Sequence, residues 1–260
     1  QPMIAIVTNV DADHLATHQG DFERLKQSYI DFLHNLPFHG LAVVCADDKE
    51  VAALLPRIAR PMVTYGIEQS ADLRAVNIVR HGMQSTFDVV RPGRDKPLSI
   101  RLNLPGTHNI LNALAAIAVA TDLDVPDEAI QSALAHFQGI DRRLQQLGDV
   151  ETDAGRVTLV DDYGHHPTEI AATLEAVRQG WAGRRVVLAF QPHRYTRTHD
   201  LLDDFARVLA CRFPTVQDHR APAWGKALLR TLAGWRYATE RYGRPWELRV
   251  AQRLIPLRVP

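Results

Sequence analysis

The chain has 260 residues, of which 46% are hydrophobic and 23% charged, with 30 Lys+Arg against 30 Asp+Glu. This is the composition of a globular protein long enough for one large or two ordinary buried cores, and it excludes disordered and fibrous classes. The longest apolar runs, Ile4 to Val7 and Val186 to Phe190, are strand-sized and far below the roughly 20 residues of a membrane-spanning helix.

Met3 to Val10 is a β-branched run ending in polar residues, the pattern of a buried parallel strand that delivers its carboxyl end to a site. Phe22, Leu25, Tyr29, Phe32, Leu33 and Leu36 then recur at helical spacing, with Asp21 and Glu23 near the start and Pro37 at the end. Gly40 to Cys45 reads as a strand, Asp48 to Ile58 as a helix and Pro61 to Tyr65 as a strand, which gives a βαβαβ alternation. Ala75 to Arg80, Ser85 to Arg91 and Leu98 to Leu104 read as an antiparallel meander. Helices follow from Thr107 to Thr121 and from Pro126 to Phe137, then a polar joint at Asp141-Arg142-Arg143. Alternation resumes with a strand over Arg156 to Val160, a helix over Pro167 to Arg178, a strand over Arg185 to Phe190 and a helix over Asp200 to Ala210. The fold class expected is α/β, with a first domain over residues 1–140, the start of a second over 141–210 and a divergent basic tail over 211–260.

Two cysteines, Cys45 and Cys211, make no disulfide framework, and no basic stretch leads into an apolar one at the start. A reducing cytoplasm is the expected setting. The first residue is Gln1, three residues ahead of a strand, so the expectation is a chain that begins inside a larger fold.

Four clusters could carry chemistry. Asp11-Ala12-Asp13-His14 follows the first strand, where open α/β sheets put their ligands; it also reads as a polar loop with a capping Asp. His108 and Asn112 stand four apart on one helix, so that an imidazole and an amide can present together to a planar base; the segment also reads as an ordinary helix start. Asp161-Asp162-Tyr163-Gly164-His165-His166-Pro167 brings two carboxylates, a phenol and two imidazoles to a strand-to-helix junction, a density that surface composition does not explain. Gln191 to Thr198 carries His193, Arg194 and Arg197, cations suited to a carboxylate or phosphate, although Asp200 and Asp203 could pair with them instead. The sequence contains no Gly-x-x-x-x-Gly-Lys-Ser/Thr phosphate loop.

Together, in this order and spacing, these blocks resemble the Mur ligase family over about residues 3–210, and within it the member that joins L-alanine to UDP-N-acetylmuramate in peptidoglycan synthesis. The most specific blocks are Thr8 to His14, Asp161 to Pro167 and Phe190 to Thr198. The resemblance implies the latter part of a central ATPase domain followed by a partial Rossmann-like amino-acid-binding domain. It implies a ligase that uses ATP and Mg²⁺, phosphorylates the substrate carboxylate and lets the amine of alanine attack the acyl phosphate. It places His14 at the magnesium, His108 and Asn112 on adenine, and Arg142 or Arg143 with Asp161 or Asp162 on ribose and phosphates. Tyr163, His165, His193, Arg194 and Arg197 fall around the alanine and the muramoyl carboxylate. The phosphate loop and UDP-binding domain would precede Gln1, so the isolated chain is expected not to turn over. A non-catalytic binding or assembly fragment, or another amide ligase of the same family, is the alternative.

Beyond Ala210 the family's strand and its Asp-Val-Tyr-Pro-Ala-Gly-Glu type loop do not appear, a pattern that a shifted reading frame would produce. The neutrality of the chain is a cancellation: residues 1–210 hold 20 Lys+Arg and 27 Asp+Glu, and residues 211–260 hold 10 and 3. The tail also carries Trp224, Trp235 and Trp246, but no nucleic-acid-binding motif accompanies its charge, so neither nucleic acid nor membrane is expected as a partner.

Overall fold

The computed structural model describes residues 2–12, 15–152, 155–188, 190 and 192–211. They fall into two units, residues 1–189 and residues from Phe190 onward.

In the first unit, β1 (Ile4–Val7), β2 (Leu41–Cys45), β3 (Met62–Gly66), β4 (Leu73–His81), β5 (Gln84–Val90) and β6 (Leu98–Leu102) form one sheet in chain order. The pairs from β1 to β4 are parallel, those from β4 to β6 antiparallel. All five residues of β2 are buried, and the alternation of a strand explains how. Leu41, Val43 and Cys45 face one core, with Leu73, Phe87, Ile100, Ile110, Leu114 and Ile117. Ala42 and Val44 face the other, with Val7, Ile30, Leu33, Val51 and Leu54. The sheet is therefore a middle layer: α1 (Phe22–His34) and α2 (Lys49–Leu54) supply apolar residues on one side, α3 (Thr107–Asp122) and α4 (Asp127–His136) on the other. Asp21 caps α1, accepting from Glu23 N at 2.8 Å, and Asp48 caps α2, accepting from Val51 N at 2.9 Å.

Residues 145–161 depart from the expected alternation, which held a single strand over Arg156 to Val160. β7 (Gln145–Thr152) and β8 (Gly155–Asp161) form a two-stranded antiparallel ribbon, then α5 (Pro167–Gly180) follows. β7 carries only Leu147 and Val150 among polar residues, and both are exposed, so no apolar alternation announces it. The strand expected over Arg185 to Phe190 does not form at 184–188. An apolar run supplies a strand's side chains but not its ladder partner, and β8 pairs only with β7 among the described strands. α5 belongs to the first unit: it packs on α3 and β4, so residues on both sides of the 141 joint share one body.

In the second unit, α6 (Tyr195–Asp200) and α7 (Leu202–Cys211) are described, with Phe205 buried and stacked at 5.4 Å on Phe190. The tail beyond Cys211 lies outside the described residues. Among the described residues, no helix is long and apolar enough to cross a membrane.

Candidate functional site

The junction between β8 and α5 is held by its own carboxylates. Asp162 accepts from Gly164 N at 2.7 Å through one oxygen and from Leu144 N at 2.9 Å through the other, fixing the turn to the segment before β7. Glu169, in the first turn of α5, accepts from His165 N at 2.9 Å and His166 N at 3.2 Å, using the amino-terminal N–H groups that a helix leaves unpaired. Arg143 Nη1 lies 3.3 Å from the other Glu169 oxygen. Burial disfavours the ionised Glu169, but the two backbone N–H groups, His165 and Arg143 outweigh it and hold its proton affinity below the usual carboxylate range.

Around this turn the expected site residues converge. Arg142 pairs with Asp161 at 3.2 Å and lies over the Tyr163 ring, 4.7 Å from its centroid. The Tyr163 and His165 rings meet edge to face at 5.2 Å, and His165 Nδ1 is 3.0 Å from Tyr163 O. Tyr163 N donates to Arg142 O at 2.7 Å, so the joint and the junction are bonded through backbone as well as side chains. The result is a patch with cations, carboxylates, a phenol and an imidazole within one turn of backbone.

His108 stands in the first turn of α3, half-buried. Burial lowers its proton affinity, Asp162 and Glu175 oppose that and Arg143 reinforces it, so the ring is neutral near pH 7. Asn112, four residues on, is exposed. His193, Arg194 and Arg197 belong to the second unit at the start of α6, where Arg194 has a φ of +67° and Arg197 is buried. His14 lies outside the described residues, and among those described no three His, Cys, Asp or Glu gather as a metal site.

Three participants escaped the sequence reading: Glu169, Thr168 and the contact of Asp11 with α5, in which Thr168 Oγ1 donates to the Asp11 carboxylate. Glu169 stands three residues after His166, the spacing of a capping box, but that signature uses Ser or Thr at the cap position and His166 hides it.

The first unit is a layered α/β body, and ionisable side chains gather where its antiparallel β7–β8 ribbon hands over to α5. Residues 1–120 match the Mur ligase middle domain and residues 142–241 the Mur ligase glutamate ligase domain. The chain belongs to the Mur ligase family. Among solved structures it is similar to the UDP-N-acetylmuramate-alanine ligase MurC of Thermotoga maritima, at 27% identity and a TM-score of 0.63 over 80% of this chain. It is similar to MurF of Acinetobacter baumannii at 25% identity and a TM-score of 0.58 over 69%, and to the murein peptide ligase of Psychrobacter arcticus at 26% and 0.53 over 80%. The chain spans 44%, 38% and 42% of the lengths of these three proteins.

Proposed function

We propose that this chain is the nucleotide- and amino-acid-handling part of a cytoplasmic ATP-dependent ligase that joins L-alanine to the carboxylate of UDP-N-acetylmuramate. The observation that carries the reading is the convergence of Arg142, Arg143, Asp161, Asp162, Tyr163 and His165 on the amino end of α5. ATP supplies the phosphoryl group that turns the carboxylate into an acyl phosphate, and such a reaction asks the protein for positioning and charge more than for covalent chemistry.

The residues present suit ATP. A half-buried His108 kept neutral offers a flat face to adenine without the cost of desolvating a cation, and Asn112 stands one helical turn on to hydrogen-bond the base. Arg142 and Arg143 supply positive charge for ribose and phosphates, with Asp161 and Asp162 holding the turn between them. In the first unit Tyr163 and His165 are the residues for the alanine; in the second, His193, Arg194 and Arg197 carry a ring and two cations suited to a carboxylate. For Mg²⁺ the ligand is His14, and the described residues add no metal-binding set of their own. The joint at 141 divides a central-domain portion over 1–140 from the start of the amino-acid-binding domain over 141–210. The second reading, another amide ligase of the family, draws on the similarity to MurF and the murein peptide ligase at nearly the same identity.

The test is ADP release by the complete ligase containing this sequence, with UDP-N-acetylmuramate and single amino acids or peptides as acceptors. Release that depends on L-alanine supports the reading. Release that needs a UDP-muramoyl peptide or an intact peptide acceptor moves it to the second.

A further inference from the structure

We propose that Asp11 is a positioning residue: it holds the amino end of α5 against the end of β1, and through α5 it sets the turn that carries Tyr163 and His165. Asp11 lies just past β1, in the segment matched to the middle domain, and Thr168 in the segment matched to the glutamate ligase domain. Thr168 Oγ1 donates to Asp11 Oδ2 across 157 positions of sequence, and His166 Nδ1 lies 3.3 Å from the same oxygen.

The imidazole settles which way its proton points. Nδ1 also stands 3.4 Å from Thr168 N, and one nitrogen cannot both accept there and donate to a carboxylate. A lone pair 3.3 Å from an anionic oxygen is repelled, so Nδ1 carries the hydrogen and Asp11 accepts it. Nε2 of His166 is buried and has no hydrogen-bond partner among the described residues, so the contact with Asp11 is the polar anchor that these residues give the ring. Asp11 also places a negative charge at the positive end of a 14-residue helix.

The rest of α5 is seated by close approach. A Cβ on Gly106 would lie 2.7 Å from Ala176 Cβ, and one on Gly180 would lie 3.1 Å from Met83 Sδ. The middle and carboxyl end of α5 are thus packed, and at its amino end Asp11 adds a polar contact to the burial of Pro167 and Ile170 and the pairing of Arg143 with Glu169. Glu169 transmits that hold directly, since its carboxylate is bonded to the backbone of His165 and His166.

The contact is tested in the full chain by a double-mutant cycle of Asp11→Ala and Thr168→Val in urea unfolding, with hydrogen exchange of residues 161–170. The expected coupling is about threefold to tenfold in the unfolding constant, with faster exchange at 163–166 in Asp11→Ala and none in the cap variant Asp21→Ala. Additive effects and unchanged exchange overturn the proposal. Its kinetic consequence rests on the function proposed above: in the complete ligase, Asp11→Ala raises the KM for L-alanine about tenfold, more than it raises the KM for ATP, and is rescued by Asp11→Glu. An unchanged alanine KM in an active ligase overturns the positioning role. A wild-type ligase that ignores L-alanine overturns the function while leaving the cycle to judge the contact.

Discussion

Gly106 and Ala176 approach so closely that a single methyl on Gly106 would sit 2.7 Å from the Ala176 Cβ. The same methyl would meet His108 Cε1 at 2.9 Å, and Gly106 holds a φ of +94°, which L side chains rarely adopt. Gly106→Ala therefore combines backbone strain with overpacking, and its expected cost is about 2–5 kcal/mol in urea unfolding. Gly93→Ala is the control: its φ is +67° but nothing lies within 4 Å, so it should lose only the strain component, about 1 kcal/mol. Equal losses in the two variants would show that the seam between α3 and α5 is not packed as described.

Arg91, at the end of β5, has a side chain only 2% exposed and makes a bidentate contact with Asp127 at 2.8 and 2.6 Å, tying the meander to the first turn of α4. Removing the carboxylate strands a buried guanidinium. Asp127→Ala should cost about 2–4 kcal/mol, less than a fully enclosed pair because Asp127 is 39% exposed. Replacing both residues, as Arg91→Met with Asp127→Ala, should recover part of that loss. A double variant worse than either single one would contradict the account.

The sheet and its flanking helices were legible because they bury long apolar runs. β2 shows five consecutive buried residues, and α3 presents Ile110, Leu114 and Ile117 at helical spacing. The strand-to-helix motif at 161–167 was legible for a chemical reason: so many ionisable groups are rare in one turn. Elements without burial left no such trace. β7 exposes Leu147 and Val150, and the apolar run at 185–188 looked like a strand yet has no ladder in the described residues. The contact between Asp11 and Thr168 joins residues 157 positions apart, and no local pattern encodes such a pair.

Glu169 ties the junction together as an anion, and acid should reveal it. Its proton affinity is depressed in the folded chain, so its stabilising contribution is complete above the unfolded carboxylate value near 4.3 and is lost as pH falls through the lower folded value. Glu169→Gln should lower the urea midpoint at pH 7 and flatten its fall between about pH 5 and 3. In the ligase reading, the same variant should raise the KM for L-alanine, because the backbone of His165 and His166 keeps only a neutral amide acceptor and Arg143 loses its anionic partner. A midpoint that falls with acid as steeply in the variant as in the parent would remove Glu169 from this role.

His108 titrates in the opposite part of the scale. Burial favours its neutral ring, so its folded proton affinity lies below the usual histidine value near 6.5, and the unfolded chain binds the extra proton first. The sign follows: stability from this residue is complete above about pH 6.5 and declines as pH falls through the lower folded value. Its neighbours should move the midpoint in known directions. Asp162→Asn and Glu175→Gln remove negative charge and should lower the NMR titration midpoint of His108 further, whereas Arg143→Gln removes a repelling cation and should raise it. Because a neutral ring is the form suited to stack on adenine, ATP binding by the complete ligase should weaken over the same window, and His108→Asn should remove that pH dependence while weakening binding at pH 8. A midpoint at or above 6.5, or shifts of the wrong sign in these three variants, would show that the ring is not held at the junction of α3 and α5 in the way described.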